Sequence, residues 1–342
     1  MSAATESELG LTLKRFVEWA RQRGWRYQWV PGHLQHFQRF LQHRGVEHLA
    51  DVSAALLGEY QRCLSVQKST ATVCGHSSTL RALWRYLLKE ELVSDDATRG
   101  LSDLCPDYFV PHLYGARELR SIERATRAAI EQAKGTRQRF ARRTQYAAFG
   151  LLRDCGLRVS EVCRLNVHDF DPRERTLRIE LTKFFKTRTI PLPRSTAARL
   201  TQYLRHRHAL VGALAEVDSP ALFLSACGRR LVRVALETPF KQLSSELGLY
   251  RSRRRQGRTV FGSTNLHALR HSFAVRSLER WQIEQSDVER LLPLLSAYMG
   301  HAHVSYTKRY LHLTATLRKL ASERFAELAL PELDPVPQAR RR

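Results

Sequence analysis

The sequence contains no run of 18 apolar residues, so no segment is suited to cross a bilayer as a helix. It has no GxxxxGK[ST] loop to cradle a nucleotide's phosphates. It also lacks an acidic cluster of the kind that holds two catalytic metals. The six cysteines (Cys63, Cys74, Cys105, Cys155, Cys163 and Cys227) show no paired short spacing. That argues against a zinc site or a disulfide framework, and they read as small buried side chains in a reducing compartment. The opening MSAATESELG is polar and acidic, unlike a secretory signal. Internal repeats are absent, and the one biased segment is the tail PELDPVPQARRR. These absences predict a soluble, cytoplasmic protein.

Acidic residues are the scarcest relative to their counterparts. Against 56 Lys and Arg stand 33 Asp and Glu, a net charge of +23 spread along the 342 residues. Such an excess favours a polyanionic partner, and nucleic acid fits best. An anionic membrane surface is the weaker competitor, because no basic helix is apolar enough to lie in an interface.

Hydrophobic spacing predicts a mainly α protein with a small β-sheet insertion. LTLKRFVEWARQRG ends at Gly24, PGHLQHFQRFLQHRG opens with Pro31 and closes at Gly45, and DVSAALLGEYQRCL follows; these match helix start and stop signals. STLRALWRYLLKEELV carries Leu80, Leu83, Trp84, Leu87 and Leu88 on one stripe, with Arg81, Arg85 and Lys89 among the outward positions. VSDDATRGLSDLCPDYFVPHLY, with Pro106 and Pro111, reads as a linker. The expected division is a helical domain over 1–103, a linker over 104–113, a second domain over 114–330 and a basic tail over 331–342. Within the second domain TLRIELT and TIPLP predict two strands flanking the turn KFFKTR. YRSRRRQGR, from Tyr250 to Arg258, reads as an arginine-rich loop, either merely exposed or in contact with phosphate. His33, His36 and His43 are expected on the polar face of an amphipathic helix, not as metal ligands.

Four stretches hold the side chains that phosphoryl transfer needs. GLRVSEVCRL offers Arg158, whose planar fork can take two phosphate oxygens, with Glu161 one turn on. The KFFKTR turn offers Lys183 and Lys186. NLHALRHSF puts His267 and Arg270 on one helix face. LLSAYMGHAHVSYTKRYLHLT brings His301 and two phenols, Tyr306 and Tyr310, one helical turn apart. Each stretch alone is ordinary; their combination is far more specific.

In that combination the sequence resembles the tyrosine recombinases, the phage-integrase-like site-specific recombinases, over roughly residues 8–330. GLRVSEVCRL resembles the family's first arginine motif, TKFFKTRTIPLP its lysine hairpin, HALRHSFA its His-x-x-Arg box and MGHAHVSYTKRYLH its closing Gly-His box. The resemblance implies an N-terminal helical core-binding (SAM-like) domain and a tyrosine recombinase catalytic domain. It implies catalytic roles for Arg158, Lys183 (with Lys186 as the nearby alternative), His267, Arg270, His301 and Tyr310, supported by Glu161. Tyr310 lies nine positions after His301, where the family carries its nucleophile. Tyr306 stands where a small hydroxyl residue is usual, and two phenylalanines crowd a turn where glycine is common. LPLLSAYMGH looks most like members carried by transposons and other mobile elements.

The implied chemistry is attack by Tyr310 on a DNA phosphodiester, giving a 3′-phosphotyrosyl link and a 5′-hydroxyl. Lys183 would protonate the leaving oxygen and His267 would help move the tyrosine proton, with no metal, ATP or other cofactor. Expected DNA contacts are Lys186, Arg188, Arg253, Arg254 and Arg255. The expected partners are duplex DNA bearing recombination sites and a homotetramer on paired sites, alone or with partner recombinases, near the nucleoid. Two basic domains on a linker suit a clamp around the duplex. TATLRKLASERFAELAL suits docking on a neighbouring protomer or on its own domain. The rivals are a non-catalytic DNA-binding protein on the same fold, a type IB topoisomerase-like enzyme and a metal-dependent nuclease.

Overall fold

The computed structural model describes residues 7–24, 29–105, 107–180, 187–212 and 220–314. The chain folds as two compact units, Met1–Tyr108 and Phe109–Arg342. The boundary falls inside the stretch 104–113.

The first unit is helical: α1 (Glu8–Gln22), α2 (Val30–His43), α3 (Ala54–Gln67) and α4 (Thr70–Lys89). Ser7, Ser53 and Ser69 cap α1, α3 and α4 by accepting from backbone N–H groups, and each cap is worth about 1 kcal/mol. α4 begins ten residues before the stripe that announces it, because Ser69 supplies the start. Leu80, Leu83, Trp84 and Leu87 are buried with Phe16, Phe37, Leu41, Leu57 and Tyr60 in one core, while Leu88 is only half-buried.

His33 and His36 are not on a solvated face. The His33 ring stacks on His76 of α4 at 3.9 Å, and its Nδ1 shares a hydrogen bond with Thr79 Oγ1 at 2.9 Å. His36 Nδ1 lies 3.3 Å from Tyr60 Oη. Of the three, only His43 is exposed. The cysteines also depart from expectation: all six are free, but Cys63, Cys105 and Cys227 are exposed and only Cys155 is fully buried.

β1 (Tyr108–Val110) begins at the boundary, and the second unit continues with α5 (Ala116–Glu131), α6 (Thr136–Cys155), α7 (Val159–Arg164), β2 (Phe170–Asp171), β3 (Thr176–Ile179), β4 (Arg188–Pro191), α8 (Arg194–Val211), α9 (Val234–Glu246), β5 (Arg254–Gln256), β6 (Thr259–Phe261), α10 (Leu266–Ile283) and α11 (Val288–Met299). β2, β3 and β4 form one sheet, antiparallel throughout, with Leu177 opposite Ile190 and Ile179 opposite Arg188. β1, β6 and β5 form the other. The arginine-rich segment is therefore not all loop. Gly257, at φ +55°, turns Arg254–Gln256 back onto Thr259–Phe261, and the backbone groups pair as a hairpin demands.

The main core gathers around α6, with Ala148, Leu151, Leu152 and Cys155 packed among Leu177, Ile190, Leu200 and Leu222. A second cluster joins Ala274, Val275 and Leu278 of α10 to Leu292, Leu295, Met299, Tyr310 and Leu313. α10 therefore serves two cores, with Leu266, Ala268 and Leu269 on the first. Polar side chains on a helix buried on both sides must find partners inside. That condition builds the site.

Candidate active site

Asn265 caps α10 by accepting from Ala268 N–H at 3.0 Å, fixing the turn that carries His267. One helical turn on, Arg270 is 1% exposed. Its Nη1 donates to Gly156 O at 2.6 Å and its Nη2 to Met299 O at 2.8 Å. Both carbonyls belong to helix ends, where Gly156 (φ +59°) caps α6 and Gly300 (φ +67°) caps α11. Helix ends leave carbonyls without partners and carry partial negative charge, so a guanidinium fork suits them. Burial, then the neighbouring Arg158 charge, lowers the Arg270 pKa to about 10, and it stays protonated at neutral pH.

Arg158 sits at the start of α7. Its Nη1 donates to Glu161 Oε1 at 2.8 Å and its Nη2 to Gly300 O at 3.0 Å. Glu161 Oε2 accepts back from the Arg158 backbone N–H at 2.9 Å, half of a capping box. The Glu161 side chain is only 2% exposed. Burial pushes its carboxyl upward, but the hydrogen bonds and charge of Arg188, with those of Arg158, outweigh this and hold it below the usual carboxylate range.

Arg188, expected among the DNA contacts, is engaged within the protein. It shares a strand face with buried Ile190 and so points inward. Its guanidinium meets both Glu161 oxygens and Nε donates to Tyr298 O at 2.8 Å. Arg253, Arg254 and Arg255 are exposed at the β5–β6 hairpin, with the Arg254 guanidinium 4.5 Å from the Phe261 ring centroid. Lys183, Lys186, the tail 331–342 and residues 315–330 of the docking segment lie outside the described residues.

Tyr310 lies in the helical stretch 305–314 and is 6% exposed. Its Oη is 2.9 Å from His271 Nδ1. The His301 ring lies nearly parallel to it at 6.3 Å, held by a 2.8 Å bond between His301 Nδ1 and Thr307 Oγ1. His267 stands edge-on to His271 at 4.6 Å. Tyr306, by contrast, is 43% exposed.

Burial pushes the Tyr310 phenol up, and the charges of Arg270, Arg158 and Arg309 pull it partly back. His271 is lowered to about 3 by burial and then by His267, Arg270 and His301. His301 is lowered to about 3 by burial and then by Arg270, Arg158 and Arg188, against Glu161. Burial, then the guanidiniums of Arg270, Arg158 and Arg233, lowers His267 as well, to about 4. All three imidazoles are neutral at pH 7.

Among the described residues, the guanidiniums of Arg158, Arg188 and Arg270 gather around the one carboxylate of Glu161, leaving positive charge for an incoming anion. Beside them a phenol touches a neutral imidazole, the pairing that makes a nucleophile usable. No three described His, Cys, Asp or Glu side chains converge as metal ligands do. Sequence reading missed His271, although HALRH places it four residues after His267 and so on the same face.

Residues 122–316 match the model of the phage integrase family, a span holding every residue of this cluster. The chain belongs to the phage integrase family. It is 34% identical over 314 residues to the putative integrase/recombinase y4rB of Sinorhizobium fredii, covering 91% of this chain and 95% of that protein. Over 248 residues it is 29% identical to the tyrosine recombinase XerD of Oceanobacillus iheyensis, covering 72% and 73%. Its fold is similar to that of the Tn1549 transposon integrase in complex with a circular intermediate DNA, at a TM-score of 0.60 and 17% identity over 87% of this chain and 94% of that one. As a phage integrase family member the chain is a site-specific DNA recombinase, an enzyme mainly of α structure with small sheets.

Proposed function

We propose that this recombinase cuts and rejoins duplex DNA by attack of Tyr310 on a phosphodiester, with a 3′-phosphotyrosyl intermediate and a free 5′-hydroxyl. One observation carries the reading: a buried phenol, hydrogen-bonded to an imidazole, lies in a site where guanidiniums outnumber carboxylates. Arg158 and Arg270 donate to the non-bridging oxygens as charge builds in the transition state. His301 adds a third donor, since its Nδ1 is held by Thr307 and its Nε2 is left for substrate. Glu161, clamped by Arg188, orients Arg158. Lys183 gives the leaving 5′-oxygen its proton, with Lys186 as the alternative.

The exposed arginines at the β5–β6 hairpin supply salt-dependent phosphate contacts, and the first unit provides a second DNA-gripping surface. The working form is a homotetramer on paired sites, acting in the cytoplasm at the nucleoid. Its substrates are the ends of a mobile element, a reading supported by the likeness to a transposon integrase.

Covalent trapping tests this directly. Wild type, Tyr310→Phe and Tyr306→Phe are incubated in EDTA with nicked duplexes from the flanks of the encoding element, then resolved on a denaturing gel. A protein–DNA adduct should form with wild type and Tyr306→Phe and be absent with Tyr310→Phe. Tight binding by wild type without an adduct, or an adduct that survives Tyr310→Phe, overturns the reading.

A further inference from the structure

We propose that His271 is a catalytic residue of this site: its Nδ1 takes the Tyr310 proton as Oη attacks phosphorus, and returns it when the strand is rejoined. The inference rests on the phosphotyrosyl chemistry above and moves the proton-accepting role from His267 to its neighbour one turn along α10.

Geometry singles out this ring. Of the described imidazoles, His271 is the one within hydrogen-bonding distance of the phenol, at 2.9 Å. His301 lies parallel to the Tyr310 ring and commits its Nδ1 to Thr307. His267 meets the edge of His271 rather than the phenol. The groups facing His271 are His267 and Arg270 on its own helix, His301 after α11, and Tyr310 in the stretch 305–314. No carboxylate is among them, so no described group favours an imidazolium. The ring is neutral, and Nδ1 has its lone pair available when Nε2 carries the hydrogen.

The proton affinities also set the timing. The buried phenol holds its proton more tightly than usual and His271 accepts one less readily than usual, so transfer before attack is strongly uphill. It becomes favourable only as Oη bonds to phosphorus and the phenol oxygen loses its basicity. The bound phosphodiester helps by bringing negative charge toward Arg270, whose charge adds to burial in holding His271 neutral. In the step itself, an electron pair on Tyr310 Oη forms the P–Oη bond and the Oη proton passes to His271 Nδ1. The P–O5′ bond breaks with its pair on the leaving oxygen, which is protonated by the general acid. Rejoining reverses each transfer. His267, edge-on to His271, then tunes the acceptor instead of contacting the phenol.

A competing role is a latch that merely stores Tyr310 in the absence of DNA. Single-turnover adduct formation separates the two, using the full chain pre-bound to a nicked duplex between pH 6 and 9. Wild type is compared with His271→Ala and His271→Gln, each with and without added imidazole. Glutamine keeps an acceptor for the phenol but cannot carry the proton away. Both variants should bind DNA as wild type does and form adduct about 100-fold more slowly. His271→Ala should regain part of its rate with imidazole, whereas wild type should gain nothing from it.

A His271→Gln rate within about threefold of wild type overturns the inference, and a faster rate identifies the latch. If His271→Ala fails to fold, the glutamine variant carries the test. Failure of wild type itself to form an adduct sinks the phosphotyrosyl reading, whereas cleavage by wild type and His271→Gln alike sinks this inference alone.

Discussion

Arg188 closes its two terminal nitrogens on the carboxylate of Glu161, at 3.2 and 3.0 Å, from 27 residues away in sequence. The same carboxylate holds Arg158 at 2.8 Å. One buried acid thus orders two guanidiniums, and removing one partner of such a pair leaves an uncompensated charge in a poorly solvated place. Glu161→Gln should lower stability by about 3 kcal/mol and slow adduct formation more than it weakens DNA binding. Thermal unfolding and single-turnover trapping check this; an unchanged melting temperature contradicts it.

Gly300 is under two constraints. Its φ of +67° suits glycine, and a Cβ there would run into the Arg188 guanidinium. Its carbonyl also receives Arg158 Nη2. Gly300→Ala should therefore displace Arg188 from Glu161 and cost about 1 kcal/mol from backbone strain alone. Adduct formation should fall at least as far as in Arg188→Ala. A Gly300→Ala protein with wild-type cleavage would show that the clamp does not matter.

Two histidines of the first unit, His33 and His76, make acid destabilising. His76 is lowered to about 4 by burial, then by His33, His36 and Lys68, and it shares a 2.9 Å bond with Tyr60 Oη. With its folded pKa below its unfolded value of about 6.5, the unfolded chain binds the proton first. Its contribution is thus complete above about pH 6.5 and is lost as pH falls toward 4. The active-site histidines act in the same sense. The difference between wild type and His76→Gln therefore isolates this cluster: the drop in melting temperature from pH 7.5 to 5 should be smaller in the variant. An equal drop in both proteins contradicts it.

The β5–β6 hairpin makes a separate prediction. Replacing Arg253, Arg254 and Arg255 with alanine should flatten the dependence of log K on log salt by about 0.9 for each phosphate no longer neutralised. Folding should be unaffected, because these side chains are exposed. A salt slope equal to wild type would remove the hairpin from the DNA interface.

Local patterns made much of this legible. Helical spacing and the glycine and proline signals announced α1 to α4, though not the Ser69 start of α4, and three-residue spacings marked Arg158 with Glu161 and His267 with Arg270. What escaped depended on distant partners. Arg188 turns inward only because β4 pairs with β3 in the register that buries Ile190. His33 and His36 face protein because α4, some 40 residues on, brings His76 and Thr79 to them. The arginine-rich stretch became a strand through its pairing with Thr259–Phe261. His271 was visible as a same-face neighbour of His267, but its hydrogen bond to a phenol 39 residues away was not.

The central claim is that Tyr310 carries the DNA, and peptide mapping of the trapped adduct tests it most directly. Trypsin separates the two phenols, since Tyr306 falls in the peptide LLPLLSAYMGHAHVSYTK and Tyr310 in YLHLTATLR. After nuclease trimming, mass spectrometry should find the residual nucleotide on the peptide containing Tyr310, with the peptide containing Tyr306 unmodified. A nucleotide on the Tyr306 peptide, or on neither, would contradict the assignment.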